Sequence, residues 1–111
     1  MTPNEYQKLA MTTLNKELTK QDMLLNSVMG LCGESGEAID ILKKHLMQGH
    51  SLDRDHLIKE LGDIAWYLAE AATALDISLE EVMERNIEKL RKRYAEGFDT
   101  EKSLHREAED N

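Results

Sequence analysis

Residues 53–75 read DRDHLIKELGDIAWYLAEAATAL, and this stretch decides the fold. Leu57, Ile58, Leu61, Ile64, Ala65, Leu68, Ala72 and Leu75 recur at three- and four-residue steps, the period of one helix face. The spacing predicts a helix from about Asp53 to Leu75 with those residues turned inward. Its middle, Ile64-Ala65-Trp66-Tyr67-Leu68-Ala69, is apolar nearly all the way round, so more than one side needs a cover. In a chain of 111 residues another copy of the protein is the simplest cover.

Working outward, the break Gln48-Gly49-His50-Ser51 separates this helix from an earlier one, from about Asp22 to Met47. The apolar stripe of that earlier helix is Leu24, Val28, Leu31, Cys32, Ala38, Ile39, Leu42 and Leu46. At the start of the chain, Thr2 as cap, Pro3 and Glu5 open a helix reaching about Lys16. Ser78 and Glu81 form a second capping box, opening a last helix to about Tyr94, closed by Gly97. One proline and five aromatic residues argue against an all-β fold. The expectation is an all-α bundle of four to five helices, oligomeric as a dimer or tetramer. It forms one domain over residues 1–111, with 97–111 a charged tail.

Lys and Arg total 14 against 22 Asp and Glu, a net charge of −8, which excludes a general binder of nucleic-acid polymers. Free nucleotides stay open as ligands, because a bound cation can join acidic side chains to phosphate. A single cysteine, Cys32, excludes an intrachain disulfide framework, and its place on the apolar stripe predicts a buried small residue. MTPNEYQKLA lacks the pattern of a signal peptide and no apolar run is long enough for a membrane span, so a cytoplasmic protein is expected.

Two acidic pairs carry the chemistry. Glu34 and Glu37 project from one face of the second helix, Glu60 and Asp63 from one face of the third. The first pair sits roughly 17 Å before its helix ends and the second about 11–12 Å after its own begins, at ~1.5 Å per residue. An antiparallel hairpin therefore brings four carboxylates within about one turn of each other. Such convergence needs cations, and magnesium, an oxygen-binding ion that keeps open positions, suits it; four carboxylates suggest two or more ions. The Glu-x-x-His pairs of di-iron bundles are absent, Asp53 with His56 being the nearest approach. The same spacing, continued through Tyr67 and Glu70, also describes a solvated stripe on an amphipathic helix. Gly30, Gly33 and Gly36 around the first pair and Gly62 inside the second each cost about 1 kcal/mol in a helix. Close approach of another group is the usual return.

The segments GLCGESGEAIDILKKHLMQGH (30–50), KELGDIAWYLA (59–69) and NIEKLRKRYAEGF (86–98) together resemble the MazG-like nucleotide pyrophosphohydrolases of the all-α NTP pyrophosphatase superfamily. The signature is Glu-x-x-Glu, a spacer, then Glu-x-x-Asp, and here the spacer is residues 38–59, 22 in all. The resemblance implies magnesium-dependent cleavage of a nucleoside triphosphate between the α and β phosphates, with manganese as a possible substitute. Glu34, Glu37, Glu60 and Asp63 fall on the metal-ligand positions, with Glu34 or Glu37 taking the proton of the attacking water. Tyr67 falls where relatives place an aromatic residue near the nucleotide, and Asn86, Lys89, Arg93 and Tyr94 match the Asn-x-x-Lys and Arg-Tyr pattern. Lys44, two turns after Glu37, adds a positive group for the triphosphate. Two departures stand out: Ala95 where the family often has proline, and Gly33 where many relatives carry an extra glutamate. Two other readings remain open at this point. One is a non-catalytic helical interaction module; the other is a phosphohydrolase that releases orthophosphate.

Overall fold

The computed structural model describes residues 1–95 and Leu104. Among these lie four α-helices: α1 Pro3–Ala10, α2 Lys20–Gln48, α3 Arg54–Ala74 and α4 Leu79–Arg93. A 3-10 turn, Met11–Thr13, follows α1. The fold is all-α, as the periodicity predicts. No helix among the described residues is long and apolar enough to cross a membrane. The chain divides into two compact units, Met1–Leu79 and Glu80–Asn111. The expected closing Gly97 and the tail 97–111 lie outside the described residues, Leu104 apart.

Side-chain caps set the helix starts. The hydroxyls of Thr2 and Thr19 accept from the Glu5 and Asp22 amides at 3.1 Å each, and the Asp53 carboxylate accepts from the His56 amide at 3.1 Å. At the end of α2, Gly49 adopts φ 74°, a left-handed cap that suits glycine. The His50 amide returns to the Lys44 carbonyl at 3.1 Å, and the His45 Nδ1 donates to the His50 carbonyl at 2.8 Å. A turn this tight folds α3 back along α2 as an antiparallel hairpin.

The first helix is shorter than its expected reach to Lys16. Thr12 and Thr13 donate to the carbonyls of Leu9 and Ala10 at 2.6 and 2.7 Å, and the Trp66 indole also donates to Ala10, at 3.1 Å. With those carbonyls taken, the chain tightens into a 3-10 turn and leaves the helix. Trp66, which also donates to Thr13 Oγ1 at 2.9 Å, therefore ties the end of α1 to α3. Gln7 makes the second tie. Its amide donates to Thr73 Oγ1 at 3.0 Å and to the Ile77 carbonyl at 3.2 Å, while its carbonyl accepts from the Leu79 amide at 2.7 Å.

The apolar stripes are only partly turned inward: Ala72 is buried as expected, and Leu31, Ala38, Leu42, Leu57, Ile64 and Ala65 are half-buried. Met23, Ser27 and Ile41 of α2 and Ala69, Glu70, Ala72 and Ala74 of α3 are buried. Yet Leu24, Val28, Ile39 and Leu46 of the predicted inward stripe are exposed, Leu46 by 70 %, and so is Cys32. On α3, Ile58, Leu61, Leu68 and Leu75 are exposed too, Leu61 by 54 %. The reason is geometric: α2 and α3 meet along the sector that holds Glu34, Glu60 and Asp63, so the leucine sectors turn outward. At about 100° per residue, Val28, Ile39 and Leu46 lie about 120–130° round α2 from that contact, and Leu61, Leu68 and Leu75 about 120° round α3. In an antiparallel pair, offsets of the same sense bring both stripes to one side of the hairpin.

Replacing Gln7 with alanine is expected to destabilise the fold by on the order of 1–3 kcal/mol, since the Leu79 amide loses its acceptor in a buried setting. Thermal unfolding followed by circular dichroism measures this, and an unchanged midpoint would show that Gln7 does not hold the first helix.

Candidate metal centre

The hairpin brings the two acidic motifs together, three carboxylates at a time. One oxygen each from Glu34, Glu60 and Asp63 lies within 4.8 Å of the others. Glu37, the fourth predicted member, stands outside this group and lines an adjoining cavity of about 540 Å³. Asp40, Lys44, His50, Asp53 and His56 also border that cavity, beneath the turn between α2 and α3. The solvated-stripe reading describes only part of this face of α3: Asp63 is exposed, but the Glu60 side chain is 12 % exposed and Glu70 is 0 % exposed.

The cluster bears the electrostatic signature of packed like charges. The Glu34 carboxyl is raised from 4.5 to about 7, first by its hydrogen bond to Glu60, then by burial and by the charges of Glu60, Asp63 and Glu37. One proton thus does in part what a cation would do. Glu60 Oε1 accepts from His56 Nε2 at 3.1 Å, whereas the buried Glu60 Oε2 has no hydrogen-bond partner. An orphaned buried carboxylate oxygen amid oxygen-only donors fits a hard divalent cation such as Mg²⁺ or Mn²⁺. Cys32, nearby in sequence, adds no sulfur ligand to the group.

The remaining predicted residues divide by location. Tyr67 is half-buried, and its ring lies directly over Gly30, where an added Cβ would collide with it. That close approach accounts for Gly30; around Gly33, Gly36 and Gly62 the space is open. Trp66 stacks edge-on against Tyr67, with centroids 5.1 Å apart, while its indole N–H is taken up by the end of α1. Lys44 pairs with Asp40 at 3.1 Å, four residues earlier on α2. Asn86, Lys89 and Arg93 lie on α4, in the second unit, where the Arg93 guanidinium sits 5.8 Å from the Tyr94 ring centroid.

Sequence reasoning missed two contributors. Asn26 donates to both Glu70 oxygens, at 2.9 and 3.1 Å, and satisfies the fully buried carboxyl, whose pKa burial raises. His56 sits over Glu60; the signal was the Asp53-x-x-His56 pair, set aside because it did not match a di-iron motif.

Comparison with known proteins gives the family. Residues 23–98 match the MazG nucleotide pyrophosphohydrolase domain. The chain belongs to the MazG family. It is also 42 % identical over 73 residues to the "Gene 37 protein" of Mycobacterium phage L5, covering 62 % of this chain and 64 % of that protein. The chain thus spans a little under two-thirds of that relative's length. No solved structure matches significantly. The matched segment of this MazG chain contains all four motif carboxylates and the α4 residues.

Two outcomes test the geometry. Because the folded chain holds the Glu34 proton more tightly than the unfolded chain, this group stabilises the fold below its usual value of 4.5. That contribution fades as the pH rises to about 7. Metal-free protein should therefore lose thermal stability across this window, and Glu34→Gln should flatten the loss; parallel pH profiles would refute the coupling. Gly30→Ala should displace the Tyr67 ring, lowering stability by roughly 1–3 kcal/mol through overpacking, as measured by denaturant unfolding.

Proposed function

We propose that this chain hydrolyses nucleoside triphosphates between the α and β phosphates, yielding the monophosphate and pyrophosphate, with Mg²⁺ as its cofactor and Mn²⁺ as a substitute. Family membership supports a nucleotide pyrophosphohydrolase, and so a hydrolase acting on an acid anhydride. The observation that carries the metal dependence is the buried, unpartnered oxygen of Glu60, a residue whose carboxylate lies within 4.8 Å of those of Glu34 and Asp63.

Glu34, Glu60 and Asp63 would hold the first ion, and Glu37 with substrate phosphates would serve a second. When bound, such ions screen phosphate charge and lower the pKa of a coordinated water. The chain's own part begins with proton acceptance. Glu37, outside the three-oxygen group and bordering the cavity, suits this role, with Glu34 the other candidate. The cavity has the size of a ligand site, and Lys44 at its wall supplies a positive group toward the substrate. Tyr67 beside the cluster offers a ring face to the nucleotide, backed by Trp66. Asn86, Lys89, Arg93 and Tyr94 belong to the substrate machinery on the strength of the family pattern, Lys89 and Arg93 countering charge on the leaving pyrophosphate.

The reading includes self-association as a dimer or a dimer of dimers. The exposed stripes of α2 and α3, on one side of the hairpin, form an apolar face that a second copy would cover. Charge repels nucleic-acid polymers from this acidic chain, and no membrane partner is invoked.

A panel of nucleoside triphosphates with Mg²⁺, with products separated by chromatography, tests the reaction. Pyrophosphate release supports it, orthophosphate release points to another linkage, and no turnover points to an interaction module. Asp63→Ala and Glu37→Ala should abolish the Mg²⁺-dependent rate while helicity persists. Lys89→Ala or Arg93→Ala should lower kcat/KM by about ten- to a hundredfold, the loss of one charge-assisted contact. For assembly, light scattering should show a dimer or larger, and Val28→Glu with Leu61→Glu should yield monomers; a wild-type monomer would refute that part.

A further inference from the structure

The first turns of α3 place Asp53 and His56 behind Glu60, and neither has a part in the reaction as described. Asp53, His56 and Glu60 follow one another at steps of three and four along one face. Asp53 is anchored first: its Oδ1 caps the helix through the His56 amide at 3.1 Å, and its Oδ2 lies 3.9 Å from His56 Nδ1. The imidazole then reaches Glu60, Nε2 to Oε1, at 3.1 Å. In this contact the ring N–H donates and the carboxylate oxygen accepts. With Nε2 as the donor, the orientation of the ring is fixed.

On an exposed helix such a pair contributes little, because water competes for both groups. Here the partner is not exposed. Glu60 is nearly buried, and once His56 holds one oxygen, the other is left without a hydrogen-bond partner in the carboxylate cluster. A carboxylate able to rotate would spread its two oxygens over several directions. One pinned by a hydrogen bond presents a single oxygen to the site.

We propose that His56, whose backbone amide is capped by Asp53, is a positioning residue for Glu60. Its hydrogen bond to Oε1 fixes the carboxylate so that Oε2 is presented as a preformed ligand for a divalent cation. This rests on reading Glu34, Glu60 and Asp63 as a metal site, and it adds a residue outside the Glu-x-x-Asp motif to that site. Hydrogen-bond partners behind metal ligands orient them, and their loss weakens metal affinity by roughly ten- to a hundredfold.

The test is Mn²⁺ binding to the full chain, read by the electron paramagnetic resonance signal of free Mn²⁺ at one mildly alkaline pH, without nucleotide. Circular dichroism accompanies each variant. His56→Ala should weaken Mn²⁺ binding about tenfold or more, and His56→Gln, which keeps a side-chain donor, should recover most of the loss. If His56→Ala binds Mn²⁺ like the wild type while Glu60→Gln loses it, the metal site stands and the positioning role falls. If His56→Gln is as weak as His56→Ala, the hydrogen bond is not what matters and the proposal is overturned. If Glu60→Gln itself binds like the wild type, the metal-site reading fails and takes this proposal with it.

Discussion

Carboxylates facing one another across the α2–α3 contact are the constraint on which the rest of this structure depends. Most helical hairpins join along apolar sectors and leave charge in water. Here Glu34, Glu60 and Asp63 meet between the two helices, and Glu70 is buried further along α3. Like charges at this separation must be neutralised or the helices part. Two carboxyls of α3 have hydrogen-bond partners, an Asn26 amide for both oxygens of Glu70 and the His56 imidazole for one oxygen of Glu60, while the Glu34 carboxyl is raised to about 7, first by Glu60. Among the described residues, the buried carboxylate oxygen left over belongs to Glu60, where the cation we propose would bring most relief.

Spending the helix contact on acidic groups leaves little apolar burial within the hairpin. The buried residues of α3 are mostly alanines, and many of the larger apolar side chains of both helices turn outward, Met23 and Ile41 of α2 excepted. Cohesion is supplemented from the opposite side, where Trp66 and Gln7 fasten the first helix by hydrogen bonds to backbone and side chain. The assembly we propose would use the outward leucines as its core. Active cluster and assembly surface would then occupy adjacent sectors of the same two helices, so that the stability of one supports the geometry of the other.

Much of this was legible in the residues. Thr2 and Asp53 mark helix starts because a short side-chain oxygen can satisfy the free amides of a first turn, and Gly49 marks a stop because a left-handed residue ends a helix. The hairpin and the meeting of the two acidic motifs followed from rise per residue and a short turn. Gly30 was legible as a close approach, though not what approached it; Gly33, Gly36 and Gly62 were read the same way and have open space beside them. The end of the first helix at Ala10 was not legible, since it depends on Trp66, 56 residues away in sequence, taking the Ala10 carbonyl.

The sequence by itself determined the helices, their order and the four carboxylates, because caps, breaks and periodicity are local properties of a chain. Only the tertiary structure decided which sector of each helix faces its neighbour. Periodicity states that one face of α2 is apolar; it does not state that the hairpin will close on the acidic face instead. For that reason Cys32 and Leu46 are exposed although their stripe predicted burial, and Glu37 stands outside the group that Glu34, Glu60 and Asp63 form. The choice is set by side-chain fit across the interface, Tyr67 over Gly30 and Asn26 on Glu70, and such pairings between distant residues have no period to read.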